Sequence, residues 1–270
     1  MAATHLLVGA GKMGGAMLSG WLDAGLVTPK KLVILDPTPG PQAIFAIERG
    51  AKHITKAQDI PKSVNTVLLA IKPQIFDRLG PELGASLSPK AMVLSILAGT
   101  SLRKLETAFE GRVVVRAMPN TPAAIGAGIS AIYADPDLPD ETLDKVEALL
   151  QPGGEIVRVV SEAALNAVTA VSGSGPAYVF HLVEALEAGA LALDLPEDVA
   201  TKLARQTIIG AAKLLEASED GPDTLRKNVT SPNGTTQAAL DVLMGEDGGL
   251  SKMMITTVRA AFARAKELAR

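Results

Sequence analysis

Residues 5–17 read HLLVGAGKMGGAM, and this stretch decides the fold. The apolar run His5-Leu6-Leu7-Val8 predicts a buried strand. It stops at Gly9-Ala10-Gly11, and a helix of small residues opens at about Lys12 and runs through Leu18 and Trp21. Gly9, Gly11 and Gly14 give the spacing G-x-G-x-x-G. The first glycine permits a tight turn, the second lets backbone approach a diphosphate, and the third lets helix and strand pack closely. Unpaired N–H groups at the new helix N-terminus, at Lys12 and Met13, favour an anion there.

A glycine-rich turn alone is a weak signal, and the context strengthens it. A second apolar run, Lys31 to Leu35, ends in Asp36. That carboxylate falls roughly 20 residues beyond the glycines, where such motifs place an acceptor for an adenosine ribose. Together the turn and Asp36 predict a dinucleotide site.

Further along, Pro37 to Pro41 reads as a loop, Ile44 to Arg49 as a short helix stopped by Gly50, and His53-Ile54 as a short strand. Val64 to Ile71 is the clearest buried strand and runs into Lys72-Pro73-Gln74, where proline starts a helix over Ile75 to Leu83. Met92 to Ile96 ends at Leu97-Ala98-Gly99, followed by Thr100-Ser101 as capping residues. Val113 to Ala117 ends at Met118-Pro119-Asn120-Thr121-Pro122. Ile129 to Tyr133 and Glu155 to Val160 are further strands, with a helix over Glu141 to Leu150 between them.

Strands alternating with helices imply an α/β domain with a mostly parallel sheet covered on both faces. In such sheets ligands bind beyond the carboxyl ends of the strands. That rule gathers Gly9 to Gly14, Asp36, Ile71 to Pro73, Ala98-Gly99 and Asn120-Thr121 along one rim. Lys72 reads equally as a cofactor contact or a solvated lysine.

Past Ser161 the strand signal fades. Ala163 to Val171, Ala177 to Leu193, Glu197 to Ser218 and Leu250 to Leu268 read as helices, punctuated by Pro196, Pro232 and glycines that include Gly173 and Gly175. The expected division is a dinucleotide-binding domain over 1–160 and a helical domain over 161–270. Ala177 to Leu193 is apolar on nearly every face apart from His181, Glu184 and Glu187. A helix of that kind needs cover all round, which a helical domain of this size lacks, so a homodimer is expected. Asn228 to Thr236, NVTSPNGTT, resists a bland helical account. Small hydroxyl residues and a glycine precede a helix from Gln237, an arrangement that can point hydroxyls and N–H groups at a carboxylate or merely cap the helix.

The 270 residues are 47% hydrophobic, carry a formal net charge of −3 and contain no cysteine. No global field attracts nucleic acid or an anionic membrane, and disulfides and thiolate metal sites are excluded. The chain enters a strand almost at once and has no apolar run of membrane-spanning length, so a soluble cytoplasmic protein is expected. His5, His53 and His181 are scattered without metal-ligand spacing and read as structural. Tyr178 reads as core or interface, and Glu216 to Asp223 as mostly solvated loop. No H-E-x-x-H, P-loop or G-x-S-x-G pattern is present.

Five motifs in order carry a family resemblance over essentially the whole length: VGAGKMG at Val8, AIKPQ at Ala70, RAMPNTP at Arg116, AVSGSGPAYVF at Ala170 and VTSPNGTT at Val229. The chain resembles the pyrroline-5-carboxylate reductases, which make proline. The resemblance implies an N-terminal Rossmann domain and a helical domain that interlocks with its partner in a dimer, with further assembly in some members. NAD(P)H pyrophosphate would lie on the turn Gly9, Ala10, Gly11, Lys12, Met13 and Gly14. Ile71, Lys72, Pro73 and Ala98 would border the nicotinamide half, and Asn228 would also touch the cofactor. Ser231, Gly234, Thr235 and Thr236 would meet the substrate carboxylate, with Glu162 and Glu219 nearby, and Thr236 would be the catalytic residue.

Three departures from the family pattern matter. A common Gly-Gly pair is Asn233-Gly234 here, and asparagine tolerates the left-handed conformation the turn needs. An asparagine before the fourth strand is replaced by Ala57. Asp36 stands where holders of a 2′-phosphate carry Ser, Thr or Arg, and no arginine follows within Pro37 to Gln42, so NADH is the expected cofactor. The competing readings are a related two-domain dehydrogenase of a 3-hydroxy acid or another imine, and an NADH-sensing protein without chemistry. The first usually needs a lysine in the helical domain, and neither Lys202 nor Lys213 lies in a matching motif.

Overall fold

The computed structural model describes residues 2–269. Its first part alternates strand and helix: β1 (His5–Val8), α1 (Lys12–Asp23), β2 (Leu32–Leu35), α2 (Pro41–Glu48), β3 (Lys52–Ile54), β4 (Thr66–Leu69), α3 (Pro73–Ser86), β5 (Met92–Ser95), α4 (Leu102–Ala108) and β6 (Val114–Met118). Then come β7 (Gly128–Tyr133), α5 (Asp140–Leu150) and β8 (Gly154–Arg158). The eight strands form one sheet in the order β3-β2-β1-β4-β5-β6-β7-β8. The chain leaves β1 to one side and returns to β4 on the other, which opens a crevice at the carboxyl ends of β1 and β4.

Both faces of the sheet are covered, which is why its strands read as unbroken apolar runs. Leu6, Val8, Val33, Val67, Leu69 and Val93 face Phe76, Leu83 and Phe109. Leu7, Ile34, Leu68, Leu94 and Val115 face Met17, Leu18, Trp21 and Leu150. The Trp21 indole N–H donates to the Leu149 carbonyl at 2.7 Å, satisfying the one polar atom that this buried ring brings in.

Pairing is parallel except between β6 and β7. Only residues 119–127 join those two strands, folded as a 3₁₀ turn over Thr121–Ile125. A parallel crossover needs a dozen or more residues, so the chain must reverse. Most expected elements stand where the sequence puts them, with boundary corrections. Proline at the first helical position lets α2 begin inside the expected loop, at Pro41, and α3 begin at Pro73.

His5 sits at the start of β1, half-buried, with Nδ1 2.9 Å from the Thr4 hydroxyl. Burial first, and the Lys31 charge second, hold its pKa below the ordinary imidazole range. The unfolded chain therefore binds this proton more readily than the folded one. Stability from this group is complete above the ordinary imidazole pKa of about 6.5 and declines as pH falls below it. His5→Asn is expected to flatten the stability-versus-pH curve in that window, measured by urea denaturation at pH values on either side. An unchanged slope would clear His5 of the effect.

The rest of the chain is helical: α6 (Ala164–Val168), α7 (Gly175–Leu191), α8 (Glu197–Ala217), α9 (Pro222–Asn228), α10 (Thr235–Leu243) and α11 (Leu250–Leu268). The helix expected over Ala163 to Val171 differs in kind. After α6 a π-helical stretch occupies Thr169–Gly173. The hydroxyls of Thr169 and Ser172 donate to the Leu165 and Val168 carbonyls, competing for acceptors of the normal ladder. Gly173 ends that stretch and Gly175 opens α7, with Ser174 as a bend between them, so the two glycines mark a helix boundary as expected. Two further corrections fall nearby. Pro222 opens α9 where solvated loop was expected, and α10 begins at Thr235, two residues before the expected Gln237.

By its contacts the described chain forms two compact units, one running to Ser174 and resuming at Ala261, the other spanning Gly175–Ala260. In the second unit α7 packs on α8. No residue of α7 is buried, and Phe180 is 64% exposed, with Val179, Leu186 and Leu191 also exposed. The helix that reads as apolar all round thus shows its apolar side chains in the single chain. No helix among the described residues is long and apolar enough to cross a membrane.

Candidate active site

The first unit carries the glycine turn. Gly9 has φ +89°, a conformation that favours glycine, and a methyl group on it would lie 2.7 Å from the Ala70 carbonyl oxygen. A methyl group on Gly14 would press into the Gly9 carbonyl oxygen, so this glycine lets α1 lie against the end of β1. Around the corresponding position of Gly11 there is no atom within 4 Å from the rest of the chain beyond its immediate neighbours. Gly9 and Gly14 thus serve the turn and the close helix–strand packing, and Gly11 faces open space. A cleft of about 550 Å³ lies there, lined by Ala10, Gly11, Lys12, Met13, Pro41 and Thr121 among others. Helix α1 has no side-chain cap, so its first-turn N–H groups face that region uncapped.

Asp36, just past β2, has a task that spacing alone does not show. Its Oδ2 accepts the Ala10 N–H at 2.6 Å and its Oδ1 accepts the Thr38 N–H at 2.7 Å. The carboxylate therefore ties the glycine turn to the β2 loop. The Ala10 N–H serves this tie, which leaves the first turn of α1 as the uncapped donors at the cleft. His53 Nε2 lies 2.8 Å from the Asp36 carbonyl oxygen, a backbone contact at the same corner.

The other rim residues follow the ends of β4, β5 and β6. Ile71 is half-buried against the core, Lys72 is exposed at the N-cap of α3, and Pro73 is its first residue. Ala98 is exposed and precedes Gly99, whose φ is +70°. Asn120 is 9% exposed, and its Oδ1 accepts the Ile129 N–H at 2.9 Å. That amide braces the β6–β7 turn. Ala57, at the departure from the family pattern, is buried in a 3₁₀ turn.

Glu162 is engaged as well. Its Oε1 accepts from the Leu102 N–H at 2.5 Å and from the Arg116 guanidinium at 2.6 Å. Arg116 is the functional candidate that the sequence reading passed over. It opens the motif RAMPNTP, and an arginine inside an apolar strand is itself a signal of a buried partner.

The second unit carries the hydroxyl turn. Asn228 ends α9 and is exposed. Ser231 is exposed, and its carbonyl accepts the Gly234 N–H at 3.0 Å. Asn233 has φ +57°, so the residue in place of a glycine adopts the left-handed conformation. Gly234 is the N-cap of α10, with Thr235 and Thr236 as the first two helical residues. No side chain caps this helix. Its end thus offers uncapped N–H groups beside the hydroxyls of Thr235 and a half-buried Thr236. Glu219 lies exposed between α8 and α9.

Residues 6–99 match the family described as NADP oxidoreductase, coenzyme F420-dependent, and residues 162–268 match pyrroline-5-carboxylate reductase dimerisation. The pyrroline-5-carboxylate reductase of Synechocystis sp. is 37% identical over 97% of this chain and 97% of its own. The chain belongs to the pyrroline-5-carboxylate reductase family. A solved structure of a family member from Coxiella burnetii superposes with a TM-score of 0.89 at 31% identity, covering 99% of both chains. That of the Plasmodium falciparum pyrroline carboxylate reductase with NADP bound gives a TM-score of 0.84 at 23% identity, covering 99% of this chain and 98% of that one, a likeness of fold. Within the family's two-part plan, the glycine turn falls inside the first matched segment and the hydroxyl turn inside the second. Among the described residues no group of three His, Asp or Glu side chains could hold a metal.

Proposed function

We infer that this chain reduces 1-pyrroline-5-carboxylate to proline with NAD(P)H. The observation that carries the reading is nearly full-length kinship with reductases of that name. The open cradle at Gly11 and the uncapped, hydroxyl-bearing start of α10 support it.

The cofactor fits the cradle, since at Gly11 there is backbone with open space where a diphosphate needs close approach. The first turn of α1 would hold the diphosphate, and Asp36 the adenosine ribose. Ile71, Lys72, Pro73 and Ala98 would border the nicotinamide, and Asn228 and Asn120 would lie along the cofactor's rim. Bound NAD(P)H supplies the hydride that reduces the C=N bond. The chain's own residues bind and orient. Ser231, Gly234 and Thr235 would hold the substrate carboxylate at the start of α10, with Glu162 and Glu219 as acidic neighbours. Thr236 would donate a hydrogen bond to the imine nitrogen, which grows more basic as its carbon is reduced. A threonine hydroxyl is too weakly acidic to serve as a proton store near neutral pH, so Thr236 positions and polarises.

Incubation with pyrroline-5-carboxylate should oxidise NADH, followed by its absorbance, with proline as product. Failure with both NADH and NADPH would overturn the reading. A hydroxy-acid dehydrogenase would instead reduce NAD with its own substrate, and a sensor would bind NADH without turnover.

NADH is the preferred cofactor in this reading. Asp36 brings a carboxylate to the ribose corner, where it accepts hydroxyls and repels a 2′-phosphate. Asp36→Ser should raise the NADPH-to-NADH ratio of kcat/KM by at least about 10-fold. It should also lower kcat/KM with NADH, because the Ala10 N–H loses its acceptor. A wild-type preference for NADPH, or a ratio unmoved by the substitution, would refute this role.

The working form is a homodimer, since the exposed apolar side chains of α7 need cover. Sedimentation should show a dimer or a multiple of it. A cytoplasmic location, with 1–160 serving the cofactor and 161–270 the substrate and the partner, completes the proposal.

A further inference from the structure

Arg116 lies within β6, in register with Ser95 of β5 and Tyr133 of β7, and is 8% exposed. Its ion pair with Glu162 is sheltered, the two side chains being 10% and 33% exposed. A pair of this kind is hard to break from one side, because the surviving charge stays buried without a partner. The oxygen that Arg116 grips is also the one that accepts the Leu102 N–H.

Leu102 opens α4, and the segment before it carries Ala98 and left-handed Gly99. That segment is held at both ends. At its start the Leu97 N–H donates to the Ser95 hydroxyl at 3.3 Å, and at its end the Leu102 N–H meets Glu162. Between them Thr100 is 3% exposed while Ala98 projects at the surface. The loop lies beyond the carboxyl end of β5, on the sheet edge where ligands bind in such folds.

We propose that Arg116 and Glu162 are positioning residues: Arg116 fixes the Glu162 carboxylate, which pins the start of α4 and so sets the position of the Ala98 loop. This rests on the reductase reading above, in which that loop borders the nicotinamide. Glu162 then serves the reaction through the backbone it holds, and its effect falls on turnover more than on substrate affinity.

Glu162→Ala should lower kcat about 10-fold, because small misplacements of reacting groups are costly, while KM for the imine stays within about twofold. Amide hydrogen exchange of a segment covering residues 97–104 should speed up in this variant, with or without NADH, as the Leu102 N–H loses its acceptor. Glu162→Gln keeps an acceptor oxygen and should restore that protection, with kcat within about threefold of wild type. Should Glu162→Ala fail to fold, Arg116→Lys provides the second variant. It keeps the charge but not the fork, and should show intermediate exchange and intermediate kcat. Unchanged exchange at 97–104 in Glu162→Ala, or in Arg116→Lys if that stands in, would overturn the proposal. So would a KM for the imine raised 10-fold or more at unchanged kcat, which would make Glu162 a substrate ligand. A wild-type protein that reduces no imine would sink the reductase reading alone, since the exchange result does not depend on turnover.

Discussion

Replacing Thr236 by alanine is expected to lower kcat/KM with pyrroline-5-carboxylate about 100-fold, near the small end for a lost transition-state hydrogen bond. NADH affinity, measured by fluorescence titration, should be unchanged. Thr236 is the second residue of α10, a helix whose N-terminus carries no side-chain cap. The hydroxyl is thus not needed to cap the helix, and its removal should leave the fold intact. Thr236→Ser keeps the donor and should retain activity within about 10-fold. Both variants should unfold near the wild-type temperature. Turnover unchanged in Thr236→Ala would remove this residue from the mechanism. Equal losses in the alanine and serine variants would shift the role from the hydroxyl to the methyl group.

A second large effect is expected at Gly14. Its α-hydrogen faces the Gly9 carbonyl oxygen and the Ala70 side chain, so Gly14→Ala must push α1 away from the β1 turn or distort the turn itself. Overpacking of this kind costs about 1–3 kcal/mol of stability. It also moves the first-turn N–H groups, and NADH affinity should fall at least about 10-fold because those donors no longer converge on one diphosphate. Gly11→Ala is the matched control. Protein atoms leave space there, and the exchange at an N-cap costs only about 1 kcal/mol. It should weaken cofactor binding with little loss of stability. If both variants lost stability equally and bound NADH equally, the division of roles among the three glycines would be wrong.

Much of this was legible in the chain because the signals are local. A four-residue apolar run, three glycines at fixed spacing and a following helix need only a dozen residues to declare a strand, a tight turn and a close helix–strand contact, and Gly9 and Gly14 occupy those places while Gly11 faces open space. The left-handed Asn233 was readable for the same reason, since its conformation is settled by neighbouring residues and side-chain size. The reversed strand β7 was also within reach, because a nine-residue link cannot make a parallel crossover. Boundaries at prolines were less secure. Pro41, Pro73 and Pro222 each open a helix, whereas a proline cluster also reads as loop.

The sequence by itself determined that a strand, a glycine turn and a helix open the fold, that an α/β sheet follows them, and that apolar helices with a hydroxyl turn complete the chain. Only the tertiary structure decided which polar groups meet. Asp36 reaches Ala10 across 26 positions, Arg116 reaches Glu162 across 46, and Asn120 is drawn into bracing a turn. The physical reason is range. Backbone conformation and apolar periodicity are set by residues a turn apart, whereas a carboxylate takes whichever donor the folded backbone brings within hydrogen-bonding distance.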